Sequence, residues 1–268
     1  MRPLGKQLIR FLRANLLRRP IILIYQMGKV GSRSVYCSLK DQQHDQVFHS
    51  HRLNPNNIEA VRQEHVSRGM SPPQEPGLRI FPRIKKHRGA VFVISPVRDP
   101  ISRNMSAFFQ NFKRFTGEEY SRSTFDVSVL REKFLEGYNH KVPLEWFDVE
   151  MKPSFGIDVF AYSFPKEQGY TIIQQGKYRL LIYKTELDID QQQSLVRDFL
   201  GLSSFRLQRF NVGKDKNYKS TYEAFLAGFT LPEDYVESMY NSKYVKQFYT
   251  DDEIEEFRVK WTGRSTKV

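Results

Sequence analysis

The chain has 268 residues and a formal net charge of +12, and 40% of its residues are hydrophobic and 14% aromatic. This length suffices for one large domain with a substantial core, and this composition excludes a disordered chain. Because Cys37 is the single cysteine, an internal disulfide framework is excluded as well. The charge leaves three classes of partner: nucleic acid, an anionic membrane surface, and small polyanions such as nucleotides or acidic glycans.

Basic residues and leucines are interleaved at the start of the chain. This pattern predicts a basic amphipathic helix over residues 1–20, and not a secretion signal, in which basic residues come first and a longer apolar stretch follows. Such a helix either packs on the domain with a solvated basic face or contacts a membrane peripherally. No apolar run reaches the ~18 residues of a transmembrane helix. We therefore expect a cytoplasmic protein, with any membrane contact peripheral at the inner face.

Apolar segments that alternate with helical patterns predict an α/β fold over residues 21–268, which we expect to form a single domain. The expected strands are residues 21–25, 47–49, 90–95, 170–173 and 179–183. The expected helices are residues 34–40, 101–112 and 186–200, and a capping-box pattern begins another at residue 250. Residues 54–88 combine a polar helical piece with a proline-rich surface excursion. The expected architecture has three layers, with a central, mainly parallel sheet flanked by helices.

A glycine-containing loop follows the first strand, at the strand end where α/β sheets bind ligands. Gly28 and Gly31 let the backbone approach a phosphate, and the N-terminus of a helix follows. The loop also supplies charged groups and hydroxyl donors: Lys29, Arg33, Ser32 and Ser34. The pattern predicts an anion site, with a plain strand-to-helix turn as the alternative. It is not a Walker A loop, in which the lysine follows the second glycine, and no strand ends in an evident Mg²⁺-binding aspartate.

A second motif follows the strand over residues 90–95 and opens a helix. Arg98 lies in the turn, and Arg103 and Ser106 are three residues apart, so they share one face of the helix. Two arginines and a hydroxyl suit a terminal phosphate. In the alternative interpretation, Arg98 pairs with Asp99 or with a nearby carboxylate as a structural contact.

Together the two motifs resemble those of the sulfotransferases that use 3′-phosphoadenosine 5′-phosphosulfate (PAPS), and most closely the glycan-type enzymes associated with bacterial capsular polysaccharides. The resemblance implies a P-loop NTPase-like sulfotransferase fold. It also implies that Lys29 stabilises the leaving phosphate, that residues 31–34 hold the 5′-phosphate, and that Arg98 and Ser106 bind the 3′-phosphate. A late basic loop closes over the nucleotide in this family, and residues 209–216 are the candidate, unless they form a solvated charged loop. The implied donor-binding residues are Gly28, Lys29, Val30, Gly31, Ser32, Arg33, Ser34, Arg98, Arg103, Ser106, Gly213 and Lys214.

A base must take the proton of the acceptor hydroxyl, and histidine suits this task near neutral pH. His49-Ser50-His51 follows the second strand and resembles the His-x-His of glycan sulfotransferases related to heparan sulfate 2-O-sulfotransferase. The resemblance assigns the base to His51, with His49 as the second choice. A structural pair or a metal-binding pair is the alternative, although no third ligand is evident and no metal is expected.

A carboxylate is the other candidate base. Three acidic residues lie in an aromatic stretch: Glu145, Asp148 and Glu150. The same stretch is also typical of a helix that packs Trp146 and Phe147 into the core.

The resulting hypothesis is an enzyme that transfers a sulfo group from PAPS to a hydroxyl of a saccharide or glycan and releases adenosine 3′,5′-bisphosphate. One alternative is a P-loop kinase or NTPase. The other is a non-enzymatic binder of an anionic membrane or of nucleic acid. Nucleic acid is not the expected partner, because such a binder does not need arginines and a serine at phosphate-pocket spacing.

Overall fold

A computed structural model of the chain describes residues 19–42, 44, 46–67, 69–117, 126–210 and 230–263. The N-terminal helix expected over residues 1–20 therefore lies outside the described residues, apart from its last two positions. Gly213 and Lys214 of the expected late loop lie outside them as well. None of the helices in the described ranges is both long and apolar enough to cross a membrane.

The described strands form one five-stranded sheet in the order β2-β1-β3-β5-β4. The strands are β1 (Ile21–Tyr25), β2 (Val47–Ser50), β3 (Val91–Val97), β4 (Tyr170–Gln175) and β5 (Tyr178–Lys184). β1 pairs in parallel with both β2 and β3, and β3 pairs in parallel with β5. β4 is antiparallel to β5 because residues 176–177 join the two strands, and so short a connection permits only a hairpin. The prediction of a mainly parallel sheet is confirmed.

Helices flank this sheet throughout the described ranges. Their bounds are α1 (Ser32–Asp41), α2 (Pro55–Ser67), α3 (Gly77–Lys86), α4 (Pro100–Gln110), α5 (Phe112–Thr116), α6 (Val127–Gly137), α7 (Val142–Trp146), α8 (Lys152–Phe155), α9 (Ile189–Leu200), α10 (Glu233–Tyr240), α11 (Lys243–Phe248) and α12 (Asp251–Thr262). A π-helical turn (Phe147–Met151) joins α7 to α8, and a 3₁₀ turn (Val159–Ala161) precedes β4.

The sheet is covered on both faces, because successive residues of each central strand are buried on opposite sides. In β1, Leu23 belongs to a large hydrophobic cluster that also includes residues of α3, α4 and the C-terminal helices. The next residue, Ile24, belongs to a second cluster with residues of α1 and α9. The expected three-layer α/β fold is therefore confirmed.

Residues 54–88 are more regular than the sequence suggests. They form α2 and α3, and the proline-rich stretch is confined to the connection between the two helices. Ile80 and Ile84 of α3 are four residues apart and are buried in the large cluster, so the helix packs although its outer face is polar and basic.

Candidate active site

The carboxyl ends of β1, β2 and β3 lie side by side, because β1 pairs in parallel with both neighbours. Residues 26–31 follow β1, His51 follows β2, and Arg98 follows β3. The structure therefore brings together the two motifs and the histidine pair that the sequence analysis singled out. This edge of the sheet is the candidate active site.

The loop between β1 and α1 has an uncommon backbone. Gly28, Lys29 and Gly31 have φ angles of 84°, 65° and 68°, and Lys29 is the one non-glycine residue with positive φ in the described ranges. An L-residue in this region costs about 1 kcal/mol or more, so the surrounding contacts must impose it. Open space surrounds the position of a Cβ on Gly31, so its backbone angle, and not a lack of room, favours glycine there.

Arg103 supports this loop from beneath. Its guanidinium donates to the carbonyl oxygens of Met27 (2.6 Å) and Gly28 (3.1 Å), and also to the Tyr138 hydroxyl (2.6 Å) and the Asn104 side-chain oxygen (3.0 Å). The side chain is buried. Because protein groups already accept four of its hydrogen bonds, Arg103 acts here as a positioning residue for the loop. Its binding of a phosphate remains a prediction.

Arg98 lies beside the loop and is half-buried. Its Nη1 donates to the carbonyl oxygen of Lys29 at 3.0 Å. Its backbone is fixed by the Tyr244 hydroxyl, which accepts from the Arg98 N–H at 3.1 Å and donates to the Arg98 carbonyl at 3.0 Å. The guanidinium therefore contacts the loop at Lys29. Ser106 lies farther along α4 and is also half-buried.

Asp99 stabilises the fold and does not form an ion pair with Arg98. It caps α4 by accepting from the N–H groups of Ile101 and Ser102, both at 3.1 Å. It also accepts from the Tyr240 hydroxyl at 3.0 Å and from the Trp261 indole at 3.3 Å. One buried carboxylate thus joins the start of α4 to α10 and α12.

His49 lies in β2 and His51 directly follows the strand, and the two side chains lie on the same face because they are two residues apart. Gln26 connects them to the loop: its side-chain nitrogen lies 3.2 Å from His49 Nε2 and 2.8 Å from His51 Nδ1. The Gln26 side-chain oxygen accepts from the N–H of Gly28. His49 Nε2 also lies 3.0 Å from the Ser32 hydroxyl, whereas His51 is exposed to solvent.

Both imidazoles are weak bases in this setting. Burial lowers the pKa of His49 to about 4, with His51 and Arg33 adding to the effect. Desolvation of the ring lowers the pKa of His51 to about 4, and the nearby cations Arg52, Arg103 and Lys29 act in the same direction. The Gln26 carbonyl opposes the shift of the His51 pKa. Both rings are therefore neutral at pH 7 and able to accept a proton.

The acidic stretch over residues 145–150 packs against the backbone of His51. The Trp146 indole donates to the His51 carbonyl at 3.0 Å, and Trp146 and Phe147 are both buried. Glu150 is fully buried on the π-helical turn and accepts from four donors: the Tyr25 hydroxyl, the backbone N–H groups of Leu53 and Asn54, and the Asn57 amide. Of the other two carboxylates, Glu145 is exposed, and Asp148 pairs with Lys243 at 2.5 Å.

The remaining loop positions differ in their surroundings. Val30 is buried and Arg33 is exposed. The Ser34 hydroxyl accepts from the backbone N–H of Phe210 at 3.0 Å. The Ser38 hydroxyl accepts from the N–H of Gln208 at 2.9 Å, so the chain from 208 to 210 runs along α1 towards the loop. Phe210, the last described residue of the expected late loop over residues 209–216, therefore lies beside the candidate site.

Sequence reasoning missed two polar residues of this edge, although the rule that ligands bind at strand ends applies to both. Gln26 directly follows β1 and connects the loop to both histidines. Glu186 follows β5, and its carboxylate accepts from the N–H of Asp99 at 2.8 Å and from the Tyr249 hydroxyl at 3.3 Å. Among the described residues, no group of three or more histidine, cysteine or acidic side chains is placed to hold a metal ion.

Comparisons with known proteins gave one family and one structure. The profile of a family described as "NKWYS: Putative capsular polysaccharide synthesis protein" matches residues 123–250, slightly less than half of the chain. The match begins after α5 and ends after α11, so it does not include the loop, His51 or Arg98. A search of curated proteins found no match. A crystal structure of a sulfotransferase from Alicyclobacillus acidocaldarius is similar over 78% of this chain and 93% of that chain, with 13% identity and a TM-score of 0.34.

Proposed function

We propose that the protein transfers a sulfo group from PAPS to a hydroxyl of a saccharide or glycan. One observation carries the proposal: the loop after β1, Arg98 and His51 are connected at one edge of the sheet. Arg98 donates to the carbonyl of Lys29 in that loop, and Gln26 at the start of the loop contacts His51. The match of residues 123–250 to a capsular polysaccharide synthesis family favours a glycan as acceptor.

The donor-binding residues have complementary tasks in this proposal. Lys29 places its ammonium group next to the oxygen that bridges sulfur and phosphorus, where negative charge develops. The N–H groups and hydroxyls at the start of α1 hold the 5′-phosphate. Arg98 and Ser106 bind the 3′-phosphate, while Arg103 holds the loop in place. Gly213 and Lys214 lie outside the described residues and are proposed to bind the nucleotide, a role supported by the position of Phe210 beside α1.

The proposed base is His51. His51 Nδ1 lies 3.1 Å from the Gln26 backbone carbonyl and 2.8 Å from the Gln26 side-chain nitrogen, and the proposal requires the tautomer in which Nδ1–H donates to the carbonyl, because Nε2 then carries the lone pair. The acceptor O–H transfers its proton to Nε2 while its oxygen forms a bond to sulfur. The bond from sulfur to the bridging oxygen breaks, and the electron pair remains on the phosphate beside Lys29. His49 is the less suitable base, because its Nε2 contacts Ser32 and Gln26.

The site of action proposed for this enzyme is the cytoplasm, where PAPS and sugar precursors are both within reach. Residues 1–20 are proposed to contact the inner membrane face peripherally. Neither proposal affects the chemistry at the sheet edge.

Ligand-dependent melting tests the donor site. We expect adenosine 3′,5′-bisphosphate, in buffer containing EDTA, to raise the melting temperature by about 5–10 °C at a hundredfold excess over its Kd. Mg-ATP should have a smaller effect. The proposal fails if Mg-ATP stabilises the protein and the bisphosphate does not, because that outcome indicates a kinase or NTPase. Steeply salt-dependent binding to DNA without any response to the bisphosphate indicates a non-enzymatic binder.

Two arginine variants separate ligand binding from loop support. Arg98→Ala should weaken bisphosphate binding by about 10–100-fold, because a charge-assisted contact is lost while the half-buried position tolerates alanine. Arg103→Ala should instead lower the melting temperature of the free protein, because two loop carbonyls and Tyr138 lose a buried donor. Calorimetric titration and thermal melts measure the two effects. Unchanged bisphosphate affinity in Arg98→Ala contradicts the assignment.

The base is tested by turnover and its pH dependence. His51→Ala should lower kcat by about 10²–10⁴-fold, as is typical when a general base is removed. A base with a pKa of about 4 is active when neutral, so kcat/KM of the wild type should hold at neutral pH and decline as the pH falls towards 4. His51→Ala should lack this acidic decline.

His49→Ala is the matched control, because it removes an equivalent ring two residues away. It should reduce turnover less than His51→Ala and should keep the acidic decline. A larger loss in His49→Ala than in His51→Ala assigns the base to His49 instead.

A further inference from the structure

The amino-terminal edge of the sheet, opposite the candidate active site, carries a group of cations. The chain passes from the end of α3 through His87 into β3. Lys177, in the turn between β4 and β5, donates to the carbonyl oxygens of Ile84 at 2.8 Å and His87 at 2.7 Å, so it lies against the end of α3. We name this surface the basic edge and define it by five residues: Arg83, Lys85, Lys86, Arg88 and Lys177.

The charge of the basic edge is not balanced locally. It lies within residues 76–98 and 168–184, which contain no aspartate or glutamate. Its four residues on or after α3 are exposed, and the ion pairs between described residues involve none of the five. Burial and the neighbouring Lys85 both lower the pKa of Lys177, as expected where like charges gather. An anionic partner would relieve this repulsion.

Arg19, the first described residue, lies close to this surface. Gln46 donates to the carbonyl of Arg19 at 3.2 Å and accepts from Arg83 at 3.3 Å, so the described chain begins next to the basic edge. The sequence before Arg19 interleaves arginines and leucines. Interleaved basic and apolar residues are typical of segments that lie on anionic membranes, and not of nucleic-acid arms, which lack the apolar positions.

An apolar groove adjoins the same edge. It has a volume of about 380 Å³ and begins at Arg19 and Pro20. Its apolar lining comes from β1, β3 and the end of α9: Ile22, Phe92, Leu200 and Leu202. Apolar surface beside exposed lysines and arginines matches the interfacial zone of a bilayer, where headgroups and acyl chains meet.

We propose that the basic edge binds the anionic headgroups of a lipid bilayer. β3 separates this edge from the candidate active site by about 20 Å, the length of a seven-residue strand. Bound in this way, the protein turns its candidate site away from the membrane. The inference rests on the basic edge and the groove, and it does not depend on the proposed sulfo transfer.

Vesicle co-sedimentation of the full chain tests this surface. The wild type should bind vesicles of phosphatidylcholine with phosphatidylglycerol at low ionic strength, and should not bind phosphatidylcholine alone. The triple variant Lys85→Glu, Lys86→Glu, Arg88→Glu should partition on the order of 100-fold more weakly, since each basic residue near an anionic bilayer contributes about fivefold. Thermal melts and circular dichroism establish that the variant is folded.

A matched triple variant controls for net charge. Arg131→Glu, Lys141→Glu, Lys246→Glu changes the charge equally at exposed positions on other surfaces and should bind anionic vesicles nearly as the wild type does. Equal losses in both triple variants, or unchanged binding in the first, overturn the proposal. It is also overturned if the first variant loses binding to duplex DNA or to an anionic polysaccharide but keeps its vesicle binding.

Discussion

Replacing Lys29 with alanine should lower kcat by about 10²–10³-fold, the effect of removing one group that stabilises charge on a departing oxygen. The position of Lys29 gives the physical reason. Its backbone is held at a positive φ by the loop, and Arg98 donates to its carbonyl, so the side chain starts from a fixed point at the sheet edge. Turnover with radiolabelled PAPS and an acceptor panel measures the change. Full turnover in Lys29→Ala contradicts the proposed mechanism.

Two further substitutions at this position separate charge from backbone geometry. Lys29→Gly relieves the strain of the positive φ, so it should match the low turnover of Lys29→Ala while melting at a higher temperature. Lys29→Arg keeps the charge and should retain more turnover than either. If Lys29→Gly has wild-type turnover while Lys29→Ala does not, the loss of turnover in Lys29→Ala results from the loop conformation and not from the missing ammonium group.

Replacing Glu150 with alanine should lower the free energy of unfolding by about 3–5 kcal/mol, because several buried donors lose their acceptor and a cavity remains. The carboxylate joins the end of β1, through Tyr25, to the chain after β2, through Leu53 and Asn54. Burial raises the pKa of the Tyr25 phenol well above its usual value, and Glu150 adds to this shift, so the hydroxyl keeps its proton and donates. Chemical denaturation measures the change.

The control variants distinguish this structural role from catalysis. Asp148→Asn removes a half-buried carboxylate from the same turn and should cost less than about 1 kcal/mol, the usual contribution of a surface ion pair. Glu150→Gln preserves the shape but turns an amide N–H towards a donor, so it should be destabilised to an intermediate degree. A Glu150→Gln protein of normal stability but without turnover makes Glu150 the candidate base instead of His51.

The sequence was enough to predict that Lys29, His51 and Arg98 lie close together, because each follows an apolar strand. In a parallel sheet, the ends of such strands meet at one edge, so order along the chain is enough to group these residues. The same rule would have included Gln26 and Glu186 had it been applied to every strand. The bounds of β1 and the capping box of α12 were also evident, since both depend on adjacent residues.

The roles of Arg103 and Glu150 could not be predicted in this way. The spacing between Arg98 and Arg103 predicts that Arg103 binds a phosphate. Its guanidinium instead donates to the carbonyl oxygens of Met27 and Gly28, more than 70 residues earlier in the chain. Glu150 accepts hydrogen bonds from Tyr25 and Leu53, which lie far earlier in the chain. Such partners are set by tertiary packing, and a local pattern contains no information about them.

The network around Asp99 has a consequence for the synthesis of the protein. A growing chain acquires the loop and the first histidines early, but Asp99 receives the Trp261 indole only after another 162 residues have been added. At about 5–20 residues per second, this interval is on the order of 10–30 s. During that time the start of α4 has its own cap but neither of its distant anchors. A nascent chain should therefore gain nucleotide affinity late, when α12 has emerged and folded.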